Sequence, residues 1–227
     1  MKPSLAITAV TIALLTACGK KAQDAAPAAA AADAAPPAAS AASAAPASPA
    51  DSTDEQRETA KKQALLDYAA MEDRYMNDAG AQWAAAATAS STFGDDDGKE
   101  PASSNLPANA AGPVDEKSWT NNHQDLGMDW LEATFARPVN ATAVRVVFEN
   151  GEGVEAVSKV ELQAIDGAWH AVWSGVSEDK ADRRGQRTWF VRTFEKTPYQ
   201  VKAVKLTIAN NVQRGYKVVD AVQLVGH

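Results

Sequence analysis

The sequence predicts an all-β protein: a jelly-roll β-sandwich preceded by a signal peptide, a disordered Ala/Pro linker and one helix. Three observations carry this. From about Thr88 onward, apolar residues recur at every second position in short runs separated by turn residues, which is the period of half-buried strands. Residues 20–50 are nearly all Ala with Pro, Ser and a few charges; with no large apolar side chain to bury, they cannot repay the entropy of folding. The chain of 227 residues has one cysteine, so no internal disulfide forms and packing alone must hold the fold.

The elements follow in order. Residues 1–17 read as a secretory signal: a charge at Lys2, an apolar run from Leu5 to Ala17, then small residues at a cut site. The run is too short for a membrane span, which needs roughly 20 apolar residues. Leu15-Thr16-Ala17-Cys18 resembles the lipobox of bacterial lipoproteins, in which the cysteine is lipidated and becomes the new amino terminus. That resemblance implies a lipid anchor at Cys18 and a place in the bacterial cell envelope. Gly19, where many inner-membrane lipoproteins carry Asp, favours the outer membrane. Residues 18–51 are then the lipidated cysteine and an extended spacer. Prolines at 27, 36, 37, 46 and 49 forbid a continuous helix, and at about 3.1 Å per residue the spacer reaches on the order of 90 Å.

A helix is expected over 52–80. Ser52 and Glu55 fit a capping box, and Asp54 with Glu55 puts negative charge in the first turn. Leu65, Tyr68, Met71, Glu72, Tyr75 and Met76 follow three-and-four spacing, and Gly80 suits the stop. The stripe reads as a strut packed on the next domain; a partner-binding or oligomerising role is the alternative. Residues 81–227 form the sandwich. Strands are expected at 130–135, ending at Arg137-Pro138; at 142–149, with Val144, Val146 and Phe148 on one face; and at 157–165, with Val160, Leu162 and Ala164 on one face. Asp166-Gly167 turns the last of these into a strand at 168–174. Further strands are expected at 187–194, 200–209 and 217–225.

The ordered segments resemble the discoidin, or coagulation factor type C-like, family of galactose-binding-like domains. Ala89-Ser90-Ser91-Thr92-Phe93 is similar to its opening segment, and Asp115 to Trp119 to the loop before its core tryptophan. Gly127-Met128-Asp129-Trp130-Leu131-Glu132 is similar to its Gly-x-x-Trp-Leu strand. Val139 to Arg145, Val157 to Leu162, Asp166 to His170, Thr197-Pro198-Tyr199 with Val204 to Ile208, and Val219 to Gly226 continue the series. The animal members' two stapling cysteines are missing, which suits a bacterial branch. The resemblance implies a binder that presents loops at one end of the sandwich to a sugar, a lipid head or a protein. It also implies a structural calcium ion, held by Asp115, Asp220 and backbone carbonyls of the 89–115 segment.

Composition excludes other classes. A net charge of -7 without Lys/Arg clusters argues against nucleic acid. With the only thiol given to lipid and no Ser-His-Asp arrangement or nucleophile elbow in evidence, the chain reads as non-catalytic. His123, His170 and His227 are too scattered to form a ligand set by themselves. Asp95-Asp96-Asp97 reads as a solvated acidic loop. Asp220 shares strand parity with apolar Val222 and Leu224, so its carboxylate should point inward and need calcium, an arginine or backbone amides.

Sugar recognition needs rings to cover a pyranose face and planar polar groups to reach hydroxyls. Asn122 and His123 beside Trp119, Glu149-Asn150 in a Gly-rich turn, Arg184 after Arg183, and Tyr216 in a polar loop supply that mixture. Trp119 itself reads as core, and Trp169, Trp173 and Trp189 as packing. The function expected is a membrane-anchored, non-catalytic binder of carbohydrate in the envelope. The alternative is a protein-interaction or envelope-assembly module with no sugar ligand.

Overall fold

A computed structural model describes residues 53–95 and 99–227. Cys18, the spacer, Ser52, Asp96 and Asp97 lie outside the described residues.

Helix α1 spans Asp54–Met76. Its cap is one residue later than Ser52: Thr53 has extended backbone, its Oγ1 accepts Gln56 N–H at 3.3 Å, and Gln56 Oε1 accepts Thr53 N–H at 2.8 Å. The capping box is therefore Thr53/Gln56, with the same geometry as expected but shifted by one. The helix stops at Asn77, before Gly80, because the Asn77 backbone N–H and Nδ2 both close on the Asp73 carbonyl at 3.0 Å.

Nine strands follow: β1 (Ala81–Trp83), β2 (Ala86–Ala89), β3 (Trp119–Thr120), β4 (Met128–Glu149), β5 (Val157–Ala164), β6 (Trp169–Ser174), β7 (Arg187–Thr193), β8 (Gln200–Ala209) and β9 (Val218–Gly226). All pairings are antiparallel. One layer runs β2-β4-β8-β5-β6; the other runs β7-β4-β9, with β1 and β3 on the far edge of β9. This is a jelly-roll sandwich in which β4 serves both layers. The two strands expected on either side of Arg137-Pro138 are one 22-residue strand. Proline does not end it, because Pro138 falls where the β4–β8 register shifts, between Thr134 and Val139, and a missing N–H is tolerated at such a break.

Alternation places Leu131, Val144, Val146, Phe148, Val160, Leu162, Val204, Leu206 and Ile208 between the layers, closed by Trp119 and Phe190. Each fully buried side chain of this size contributes about 1.5–3 kcal/mol, an upper figure because denatured chains already bury some surface. Trp119 is core, as expected, and its Nε1 donates to the Ser91 carbonyl at 2.9 Å.

A second cluster lies on the outside of the β7-β4-β9 layer. Val147, Trp189 and Ala221 are covered there by Met71 and Tyr75 of α1, with Trp83, Val114 and Val191. The C-terminal half of α1 is thus the expected strut. Tyr68 Oη donates to the Arg187 carbonyl at 2.8 Å, Arg145 pairs with Asp78 at 2.8 Å, and Gln223 Nε2 donates to the Tyr75 carbonyl at 3.0 Å. Burial, reinforced by the Glu72 carboxylate, pushes the Tyr68 phenol up to about 12. Gly185 makes the docking possible, since a Cβ there would lie 2.3 Å from the Tyr68 ring. Leu65 and Met76 stay exposed, as do residues 54–63.

Candidate functional site

Because β4 turns back at 135–140, both of its ends reach the same end of the sandwich. The loops there are tied to one another. Asn210 Nδ2 donates to the Leu126 carbonyl, Gly215 N–H to Asp125 Oδ1, Gln213 accepts from Gly153 and Glu155 N–H, and Asn150 N–H donates to the Gln186 carbonyl. All six expected ligand residues sit at this end, in three separate settings.

The first setting is organised by Asp129, which is 1 % exposed. Its carboxylate accepts from Ser90 Oγ at 2.7 Å and from Ser91 Oγ, Asn121 Nδ2 and Asn210 Nδ2 at 2.9 Å each. Burial alone would raise its pKa, but these four donors outweigh burial and hold it below the ordinary 3.8. His123 Nδ1 stands 3.4 Å from the same carboxylate, while the His123 side chain is 57 % exposed. Asn122 is fixed by its N–H to Ser91 Oγ at 3.1 Å and by Nδ2 to Asp95 Oδ1 at 2.8 Å. Asp95 Oδ2 in turn accepts Thr92 N–H at 2.7 Å, so this first acidic residue is a loop staple. Tyr216 meets Phe93 edge-on at 4.8 Å between centroids, and Phe93 is 40 % exposed.

Beneath these loops lies Lys217, fully buried. Its Nζ donates to the Gln124 carbonyl at 2.5 Å and to the Gly215 carbonyl, and its backbone N–H donates to Asn121 Oδ1 at 2.7 Å. Burial pushes its ammonium pKa down, against the attraction of Asp125 and Asp129. Sequence reasoning missed both Asp129 and Lys217. A signal for Asp129 existed: it shares parity with Leu131 and Ala133, the same argument that singled out Asp220.

The second setting is a cavity of about 190 Å³ lined by Glu116, Glu149, Asn150, Gln186, Arg187 and Asp220. Glu149 Oε2 accepts from Ser118 Oγ at 3.4 Å. Asn150 ends β4 in the left-handed region, a conformation asparagine tolerates better than most residues. Asp220 does not point where simple alternation placed it. The β4–β9 register shifts between Val147/Ala221 and Phe148/Val219, which leaves Asp220 unpaired and breaks its parity with Val222 and Leu224. Val219 takes the core position, and the Asp220 carboxylate meets Arg187 Nε at 3.5 Å and the Asp115 N–H at 3.4 Å. Arg187 also reaches Glu72 of α1 at 3.6 Å. Burial outweighs these partners and raises the pKa of Asp220.

These residues do not fit a calcium ion. A guanidinium already neighbours Asp220, the Asp115 carboxylate is paired with Lys117 at 2.9 Å, and among the described residues no three His, Cys, Asp or Glu side chains group closely enough for a metal. Of the three partners weighed for Asp220, the structure supplies the arginine and the backbone amide.

The third setting holds Arg184. Its guanidinium forks onto Asp182 at 2.7 and 2.9 Å and lies over the Tyr68 ring at 5.7 Å. It braces the loop against α1 and is committed there. Arg183 lines a shallow recess with Asn150 and Gly185.

No family model and no curated protein matches this chain. Among solved structures, it is similar to chitosan-binding module 1 of a Paenibacillus chitosanase/glucanase, with 14 % identity over 62 % of this chain and 93 % of that one, at a TM-score of 0.46. It is similar to a family 32 carbohydrate-binding module of Clostridium perfringens NanJ solved with galactose, with 15 % identity over 66 % and 96 % and a TM-score of 0.44. The lectin domain of lectinolysin, solved with Lewis b antigen, aligns at 17 % identity over 62 % and 92 % with a TM-score of 0.43. Likeness at these scores decides neither fold nor ligand. The fold stands on the strand order above and the functional reading on the loop end.

Proposed function

We propose that this chain is a non-catalytic carbohydrate-binding module, presented on a lipid-anchored spacer in the bacterial envelope. The observation that supports it best is the Asp129 setting. A buried carboxylate with four hydrogen-bond donors fixes the loops that carry Asn122 and His123, beside the exposed Phe93 and the half-buried Tyr216 it meets edge-on. A proton on His123 Nδ1 shared with Asp129 leaves Nε2, on an exposed ring, as an acceptor for a sugar hydroxyl. The aromatic pair offers an apolar surface to a pyranose face, and the amides of this loop end supply planar donors and acceptors. Because the groups are already ordered by their own hydrogen bonds, binding costs little further entropy. Affinity per site is expected to be modest, with tethering through Cys18 raising the effective concentration for nearby envelope glycans.

The test is a glycan array with the full-length protein. Binding inhibited by free saccharide and weakened by His123→Ala or Asn122→Ala, at unchanged melting temperature, supports the reading. Absence of any glycan signal, together with one envelope protein recovered by crosslinking, replaces it with the protein-interaction alternative.

A further inference from the structure

Six tryptophans occur in the sequence, and four of them pack. Trp119 is in the main core, Trp173 lies against it, and Trp83 and Trp189 belong to the cluster under α1. Trp130 on β4 and Trp169 on β6 belong to neither cluster. Both stand on the outward side of the β2-β4-β8-β5-β6 layer, as the register requires: Trp130 pairs with Thr207, and Trp169 with Gln163. The same lysine serves both rings. Lys205 Nζ, on β8, which with β5 lies between them, is 5.2 Å from the Trp130 centroid and 4.4 Å from the Trp169 centroid.

The charges on this face cancel locally. Lys205 pairs with Glu132 at 3.4 Å and Lys159 with Glu161 at 3.2 Å. None of these side chains is fully buried. The opposite layer hides its outward aromatics beneath α1, whereas this layer leaves its two half-buried, with no other element packed over them in either cluster.

We infer that the outward face of this layer is a second carbohydrate-binding surface, for an extended, uncharged polysaccharide chain lying across the strands with sugar rings stacked on Trp130 and Trp169. Two indoles on β4 and β6, reaching toward one lysine across the intervening β8 and β5, suit consecutive or alternate sugars of a chain. A monosaccharide would use only one ring. Carboxylates and ammonium groups interleaved with the rings suit hydroxyls and exclude an acyl chain or a purely apolar protein patch, since burying them unpaired is costly. Balanced charge favours a neutral polymer over an acidic one. The ammonium of Lys205 lies by both rings while paired with Glu132, and its long flexible stem lets it move off them when a sugar stacks. This surface does not depend on the loop-end reading: it uses other residues and another ligand form.

The experiment is affinity gel electrophoresis of the full-length protein in gels containing hydroxyethylcellulose, barley β-glucan or locust-bean galactomannan. Retardation by at least one polymer, weakened by about ten-fold or more in Trp130→Ala and in Trp169→Ala but unchanged in His123→Ala, is the expected result. On the unmodified protein, the retarding polymer should protect Trp130 and Trp169 from N-bromosuccinimide oxidation, read by peptide mass spectrometry; this arm needs no variant to fold. No retardation by any of the three polymers overturns the inference, as does retardation without protection of these two rings. If Trp130→Ala instead abolishes a concentration-dependent dimer in sedimentation, the face binds a second copy and the inference also fails. Loss of binding in His123→Ala alone would place all recognition at the loop end.

Discussion

Replacing Asp129 with alanine removes the acceptor of four hydrogen bonds, all between 2.7 and 2.9 Å. A hydrogen bond to a charged group is worth about 1.5–3 kcal/mol, but the four losses are unequal. Ser90 is exposed and can turn to water. Asn121 Nδ2 keeps the His123 carbonyl at 2.6 Å, and Asn210 Nδ2 keeps the Leu126 carbonyl at 3.0 Å. Ser91 is buried and loses its acceptor. Counting one full loss and three partial ones gives a destabilisation of about 3–4 kcal/mol, large against a typical total of about 5–15 kcal/mol. Urea unfolding at pH 7 followed by circular dichroism measures it. The sign with pH is fixed. The folded-state pKa of Asp129 lies below 3.8, so its contribution is complete above that value and is lost as pH falls through the folded value. The gap between wild type and Asp129→Asn should therefore narrow below about pH 3.8. A cost for Asp129→Ala under about 1 kcal/mol, or a gap that widens in acid, would refute the account of this network.

Three further outcomes follow from the same geometry. Gly185→Ala forces a methyl into the Tyr68 ring and should cost about 1–3 kcal/mol, with faster proteolysis within α1; an unchanged cleavage rate would mean the helix is not held there. Adding a chelator should leave the thermal midpoint unchanged, because Asp220 is served by Arg187 and an amide; a fall of several degrees would reinstate a metal at Asp115 and Asp220. Cys18→Ala should move the protein from the membrane to the soluble fraction, and persistence in the membrane would remove the anchor from the proposed function.

What the sequence made legible follows from which residues obey simple periods. β5 and β8 read correctly because Val160, Leu162, Val204 and Leu206 alternate without interruption, and β6 because Asp166-Gly167 turns the chain into it. β1, β2 and β3, at two to four residues each, are too short for a period to register, and they exist because β4 and β9 offer them open edges. β4 was divided because Pro138 is an ordinary stop signal, while its tolerance at a register shift is a tertiary fact. The cap was misplaced by one residue for a similar reason: Ser52 and Thr53 satisfy the same pattern, and only backbone geometry chooses between them.

The two aspartates make the sharper point. Asp129 and Asp220 are each nearly fully buried carboxylates on strands, and alternation gave both an inward position. Asp129 obeys it, gathers four neutral donors and stays ionised below the usual range. Asp220 sits at a one-residue bulge, leaves the core to Val219, and faces an arginine on the helix side. Its pKa rises because two contacts of 3.4 and 3.5 Å do not offset burial. Parity identifies a carboxylate that must find partners, but a single inserted residue decides which face supplies them. The candidate site was legible as a set of loop residues for that reason. Its organisation around Asp129 was not, because the donors come from positions 90, 91, 121 and 210, which only the closed sandwich brings to one point.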